Sequence, residues 1–490
     1  MHLRAIPAAA AFAAFAALAA AIPVRAAPAR DDGDDRYVAI HCGRVITGTG
    51  EEKEHVTVLV KNGKIQAIGE KVELPRPCKV IDAAKFVAMP GHVAPHSRVS
   101  LMDFPRAGAR ADLKVADEFF PAVDAFDVLL AAGFTTLQLV PPGAVGIPGR
   151  SMIVRTADVG AGFVVEPVGA IKANLLTPAQ DRRMLTEALN GAKREIEKAE
   201  KARADFEAKK KAAAEAEQKK KEEEAKKAPA PGTPPGTPPG TPPSQPPNPP
   251  PNPNPNPQPK EGEPPKPEGA KPAEQKPPEE FQPPPIAPPL QPFVDLVQKK
   301  PGALLFVRIG AATTYLHFLE ATKDFEVAHV LMAEVTPARG RPQPFGGVPG
   351  TDLHWAAKKF GEKKELVVLA PYLSYQQGAV DFVNVPQRMV EAGARVAFGP
   401  NGDAPDEFNF FRYNVNEVIK GGMTRADAIT AMTKHAAEAI GLQERLGTLE
   451  VGKDANLLLL SADPFDVQAR VEQVVIEGEL AWSREKKGRS

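Results

Sequence analysis

The chain has 490 residues, with 61 Lys plus Arg balanced by 61 Asp plus Glu, so net charge gives no reason to expect nucleic acid or an acidic surface as partner. That length exceeds one ordinary domain but accommodates a barrel of ~250 residues with additions. Proline accounts for 53 residues, most of them in one tract that must be set apart before the globular remainder is judged.

Residues 1–26 read as a secretory signal peptide. His2 and Arg4 form a short basic region, Ile6 to Ile22 is an alanine-dominated apolar run interrupted only by Pro7, and Val24-Arg25-Ala26 puts small residues at the −3 and −1 positions. The run is short and weakly hydrophobic beside the ~20 strongly apolar residues of a membrane span. The expectation is export to the periplasm or cell envelope with no membrane span after cleavage; a retained anchor is the other reading.

Residues 36–88 are read as strands. Tyr37 to Cys42 is followed by Val56 to Val60 and Ile65 to Ile68, which flank an Asn62-Gly63 turn and predict a hairpin. The only cysteines, Cys42 and Cys78, fall in strands of this unit. A disulfide and two free thiols both remain open, because register is not legible here. An apolar strand, Phe86 to Met89, then enters a Pro90-Gly91 turn and delivers His92 and His96 to the start of residues 89–200.

There, Ala122 to Ala132 predicts an amphipathic helix stopped by Gly133, and Thr135 to Val140 a buried strand. Met184 to Lys227 starts as an amphipathic helix and decays into Lys, Glu and Ala, and Ala228 to Pro292 carries Pro-Gly-Thr-Pro and Asn-Pro repeats that cannot build a core. Residues 201–292 are therefore taken as a charged helix plus a disordered Pro-rich insertion. Strand and helix patterns resume over 293–445 in Leu304 to Ile309, Thr313 to Phe325, Val327 to Met332, Leu366 to Ala370, Val385 to Ala392 and Arg395 to Phe398. Residues 446–484 return to strands, at Leu457 to Leu460, Val471 to Glu477 and a last one through Trp482.

The stretch Pro90 to Arg98 resembles the Pro-Gly-x-x-Asp-x-His-x-His segment of the amidohydrolase superfamily, and Pro141 to Gly149 is similar to its imidazolonepropionase-like branch. Gly447-Thr448-Leu449-Glu450-Val451-Gly452-Lys453-Asp454-Ala455-Asn456 resembles the family's Gly-x-Leu-x-x-Gly-Lys-x-Ala-Asp, ending here in Asn456. The resemblance implies an α/β chain: a TIM-type (β/α)8 barrel plus a small β-sandwich built from both chain ends. It also implies metal-dependent hydrolysis of non-peptide C–N bonds, in which a divalent metal activates water and an aspartate on the last strand takes its proton.

The family's ligand positions are mostly changed. His96 is kept, but Ala94 stands where the Asp should be and Arg98 where the second His should be; an arginine has no lone pair to give a metal. Relatives read Val-Arg-Ile-His-Ala-His where this chain reads Val307-Arg308-Ile309-Gly310-Ala311-Ala312. Glu334 stands near a further expected histidine and is a candidate metal ligand. Asn401 occupies the position of the catalytic aspartate, with Asp403 as a candidate substitute two residues on.

Three readings follow. The first is a catalytically impaired member or pseudoenzyme, with no cofactor, whose barrel mouth keeps a cleft for a small-molecule ligand lined by Arg98, Lys172, Arg308 and Gly310. The second is an active hydrolase holding zinc or another divalent metal in a rearranged site with His96, Glu334, Asp403 and Lys172. The third is an envelope scaffold that meets a cell-envelope partner through the Pro-rich tract. The losses are concerted while the flanking strands remain legible, and a catalytic zinc site needs about three protein donors, which favours the first.

Overall fold

The computed structural model describes residues 35–102, 108–143, 145–160, 162–227, 280–333, 352–375 and 382–487. The predicted signal peptide, most of the Pro-rich tract and Glu334 lie outside the described residues.

Both ends of the chain contribute to one seven-stranded sheet. Its order is Glu479–Ser483, Val471–Ile476, Leu457–Leu460, Cys78–Pro90, Tyr37–Ile46, Glu52–Lys61 and Lys64–Gly69. The long Cys78–Pro90 strand is the seam: it runs parallel to Tyr37–Ile46 and antiparallel to Leu457–Leu460, with Leu457 opposite Pro90. The period-two pattern explains its packing, since Val38, Ile40 and Cys42, Val56, Val58 and Val60, and Leu457 and Leu459 all enter one core cluster. Asn62 and Gly63 both take positive φ, as the tight turn of a two-residue hairpin requires.

Register also settles the cysteines. Cys42 lies opposite Ala83 and Cys78 opposite Tyr37, a five-residue offset that separates them by roughly 16 Å along the strands. Both thiols are free, so the disulfide alternative is discarded.

The remaining strands are largely parallel and joined by helices. His92–Ser97 pairs in parallel with Phe134–Leu139, and the helix Val123–Ala132 leads from one towards the other. Gly133 ends that helix at φ 95 in the left-handed region, where glycine carries no Cβ penalty. A second parallel run comprises Ile171–Leu175, Leu305–Ile309, His329–Ala333, Leu366–Leu369 and Arg395–Phe398. Beyond the parallel strands, Met152–Arg155 pairs antiparallel with Phe134–Leu139, and Gly146–Arg150 with Ile171–Leu175. The chain is thus a mixed α/β fold with βα repeats. Among the described residues the parallel strands form two arcs, without hydrogen-bonded closure into eight.

Register places Lys172 beside Phe306 and Val330, and Asn174 beside Arg308, Met332, Val368 and Ala397, on one face of the second arc. Phe306, Val330, Leu366, Val368 and Ala397 of that face pack in a core cluster with Val140 and Ala439. This face is therefore mainly apolar, with Lys172, Asn174 and Arg308 set among these side chains.

Residues 195–285 form a second unit. The helix Pro178–Lys227 runs into it: Leu185, Ala188, Leu189 and Ala192 are buried in the first unit, whereas residues 207–223 are exposed. Within the second unit Phe206 packs against Phe281 with ring centroids 5.5 Å apart. The globular part resumes earlier than the predicted 293, with the helix Gln291–Val297 buried through Phe293, Val294 and Leu296.

Candidate functional site

The junction that positions the site is Pro90-Gly91. Gly91 N donates to Asn456 O at 3.0 Å, and a Cβ on Gly91 would stand 2.4 Å from Thr135 Oγ1. Only glycine therefore lets the chain pass from the sheet into the first parallel strand. Downstream, the side chains at 92 and 96 part company.

His92 is fully buried, edge-on to Phe134 and Phe411 at 5.5 Å each, and neither ring nitrogen has a hydrogen-bond partner. Burial, with the charge of Arg412 adding to it, pushes its pKa down to about 3. It is a neutral core imidazole. His96 instead stacks on Phe306, with centroids 6.2 Å apart and planes 20° from parallel. Burial, then the cations Lys172, Arg308 and Arg98, hold its imidazole well below the ordinary histidine range.

Three groups close around Asp403. Its Oδ1 accepts from Ser97 Oγ at 2.9 Å and from Arg98 N at 2.7 Å, and its Oδ2 from Arg98 Nε at 3.2 Å. The carboxylate sought as a substitute base does reach the end of the first strand. It arrives there as an acceptor for a hydroxyl, an amide and a guanidinium. Asn401 is exposed in the same loop, and the preceding Gly399 lies against Pro95, where an added Cβ would come within 3.1 Å of Pro95 Cδ. The last parallel strand therefore adjoins the first.

Lys172 is buried, and its Nζ donates to Pro141 O at 2.9 Å and Gly143 O at 3.5 Å, fastening the loop after the Phe134–Leu139 strand. Arg308 is half-buried; burial first and the Arg98 charge second lower its pKa. At Gly310 an added Cβ would meet Leu176 Cδ2 at 3.2 Å, a tight contact with the end of a flexible side chain. The neighbouring amides are engaged in starting a helix: Gly310 N and Ala311 N donate to Thr314 Oγ1, and Ala312 N to the Asp352 carboxylate at 3.2 Å. An acid at a helix N-terminus is favoured by the unpaired amides there.

The structure brings together Arg98 and Asp403, and sets His96, Lys172 and Arg308 around them. It does not join His92 to His96. Two polar residues that the sequence reading passed over also point inward. Asn174 donates to Gly146 O at 3.2 Å with its Oδ1 buried and unpartnered, and Gln138 donates to Ser151 Oγ at 3.2 Å with its Oε1 in the same condition. The available signal was a polar residue interrupting an otherwise apolar buried strand. Several other histidines are structural hydrogen-bond partners, for example His41 with Thr57 at 2.8 Å and His435 with Val396 O at 2.9 Å.

These residues do not fit a divalent metal. Among the described residues no group of three or more His, Cys, Asp or Glu stands close enough to hold one. The one retained imidazole has an arginine beside it whose carboxylate partner is already engaged.

The fold and its site define an α/β protein with an inward-facing polar cluster at the C-terminal ends of parallel strands. Residues 371–481 match the amidohydrolase family model. An amidohydrolase from Thermotoga maritima superposes with a TM-score of 0.60 at 19% identity, covering 91% of this chain and 100% of that one. A prolidase complexed with N-methylphosphonate-L-proline is a more distant likeness, with a TM-score of 0.46 and 14% identity over 91% and 100% of the two chains. The chain thus shares the fold of the Thermotoga maritima protein and, over residues 371–481, matches the amidohydrolase family model.

Proposed function

We propose that this is an exported amidohydrolase-superfamily protein in which the hydrolytic metal site has been replaced by a cation–carboxylate clasp, so that the mouth acts as a cleft for a small-molecule ligand. The observation that carries this reading is the position of Asp403. An acid serving as general base keeps its lone pairs for water, whereas three of the roughly four on this carboxylate are engaged, by Ser97 Oγ, Arg98 N and Arg98 Nε. Gly310 and Ala312 have no donor atoms, Asn401 is a neutral amide, and Arg98 adds positive charge where a cation would sit.

A rearranged metal-dependent hydrolase acting on non-peptide C–N bonds is the second reading. Its support is His96, whose imidazole is held neutral as a metal ligand must be. Elemental analysis of protein purified without chelator, followed by zinc and manganese titration, separates the two. The clasp reading expects substoichiometric metal and no saturable tight site, and one tightly bound equivalent would refute it. A ligand in the cleft would then be sought through the thermal stabilisation that binding confers.

A further inference from the structure

A second cleft lies at the other end of the first parallel strand, where the helix Phe411–Lys420 meets the loop after Leu457–Leu460. Its volume is about 250 Å³, and its lining includes Asn409, Phe410, Arg412, Tyr413, Phe465 and Asp466. We infer that it binds a small organic carboxylate with a flat apolar body, held by the Arg412 guanidinium between the aromatic walls.

The polar part of the argument is Arg412. Its Nη1 donates to Pro464 O at 3.4 Å and its Nη2 to Ala469 O at 3.1 Å, and among the described residues it forms no ion pair with a carboxylate. A guanidinium carries five N–H donors, so three are left over from these bonds. Burial, and then the neighbouring positive charge of Arg484, lower its pKa to about 10. A cation removed from water and answered only by carbonyl dipoles gains strongly from an anion.

The cleft is also formed in advance. Asp463 accepts from Arg44 Nη2 at 2.6 Å, from Arg425 Nη1 at 2.8 Å and from Phe465 N at 3.1 Å. The Arg425 guanidinium in turn sits 4.9 Å over the Phe465 ring. The loop is thus held without help from a ligand, which keeps the ordering cost of binding low. Phe410 is 54% exposed beside Tyr413, with ring centroids 6.4 Å apart. Asp466, exposed at the rim, accepts from Gln468 N at 2.8 Å. Its charge disfavours a doubly charged phosphate, whereas a planar monocarboxylate matches the guanidinium fork.

The test is titration of the full chain with phenylacetate, followed by calorimetry and ligand-observed NMR, with neutral 2-phenylethanol and inorganic phosphate as controls. Saturable one-to-one binding of phenylacetate alone is expected. Arg412→Gln should weaken it about tenfold or more. Because Arg412 also fastens the loop, Phe410→Ala on the exposed wall provides the second arm: it should weaken binding while the melting temperature stays at that of the parent. Absence of saturation with phenylacetate, equal binding of phosphate or 2-phenylethanol, or affinity unchanged in Phe410→Ala would each overturn the inference. None of these outcomes depends on whether the barrel mouth binds metal.

Discussion

Removing the Asp403 carboxylate tests whether it serves as a clasp or as a base. Ser97 is fully buried, and its hydroxyl and the Arg98 amide both donate to Oδ1. A hydrogen bond to a charged acceptor contributes about 1.5–3 kcal/mol, and the part-buried Ser97 bond supplies most of the effect here because the Arg98 amide bond is exposed to water. Asp403 is 23% exposed and Arg98 46%, so water competes for the pair and the ion-pair share is no more than about 1 kcal/mol. Asp403→Ala should therefore destabilise the protein by about 2–3 kcal/mol, and Asp403→Asn, which keeps an oxygen facing the amide, by about 1 kcal/mol. Denaturant titration of both variants, with Ser97→Ala alone and combined, measures the loss and the coupling. A catalytic base would give the opposite pattern: stability within about 0.5 kcal/mol of the parent, together with loss of a metal-stimulated hydrolysis. That result would refute the clasp.

Further outcomes follow from other residues. Arg98→His alone should leave metal content unchanged by elemental analysis, because Gly310, Ala312 and Asn401 still withhold ligands. His329 Nε2 lies 2.7 Å from Glu365 Oε2, and Tyr315 Oη donates to Glu365 Oε1 at 3.0 Å. Burial alone would lower the His329 pKa, but the Glu365 hydrogen bond and charge outweigh it and raise it. This stabilisation is fully present below the unfolded histidine pKa of about 6.5 and is lost as pH rises through the higher folded value. Melting temperature against pH should show that decline, and His329→Gln should flatten it. In native protein a thiol reagent should titrate the partly exposed Cys78 quickly and Cys42 only on unfolding, since burial pushes the Cys42 pKa up to about 12.

The fold was legible wherever local chemistry was decisive. The Asn62-Gly63 hairpin, the Gly133 helix stop and the alternating strands at both ends declare themselves through turn conformation and period. Register was not legible, and it separates Cys42 from Cys78 by five positions, because a strand's own sequence does not say which partner residue it faces. The same holds for the site. His96, Arg98, Lys172 and Arg308 could be named from their places in motifs and strands, yet the bonds from Ser97 and Arg98 to Asp403 join residues about three hundred positions apart. His92 and His96 follow the same turn, and neighbouring aromatic rings hold them in different places, as a spacing of four outside a helix allows.

The clasp has a structural role as well as a chemical one. The first and last parallel strands approach through Pro95 and Gly399 without a hydrogen-bonded ladder between them among the described residues. Arg98 follows the first strand and Asp403 the last, so their contact fastens the two where the backbone does not. A metal shared between strands would exert the same pull, drawing ligands from separate elements to one point. A guanidinium does this with directed donors and a single charge, and it leaves no open coordination position at which water could be activated. The contact of Arg98 with Asp403 thus supplies a bond that holds the ends of the first and last parallel strands together.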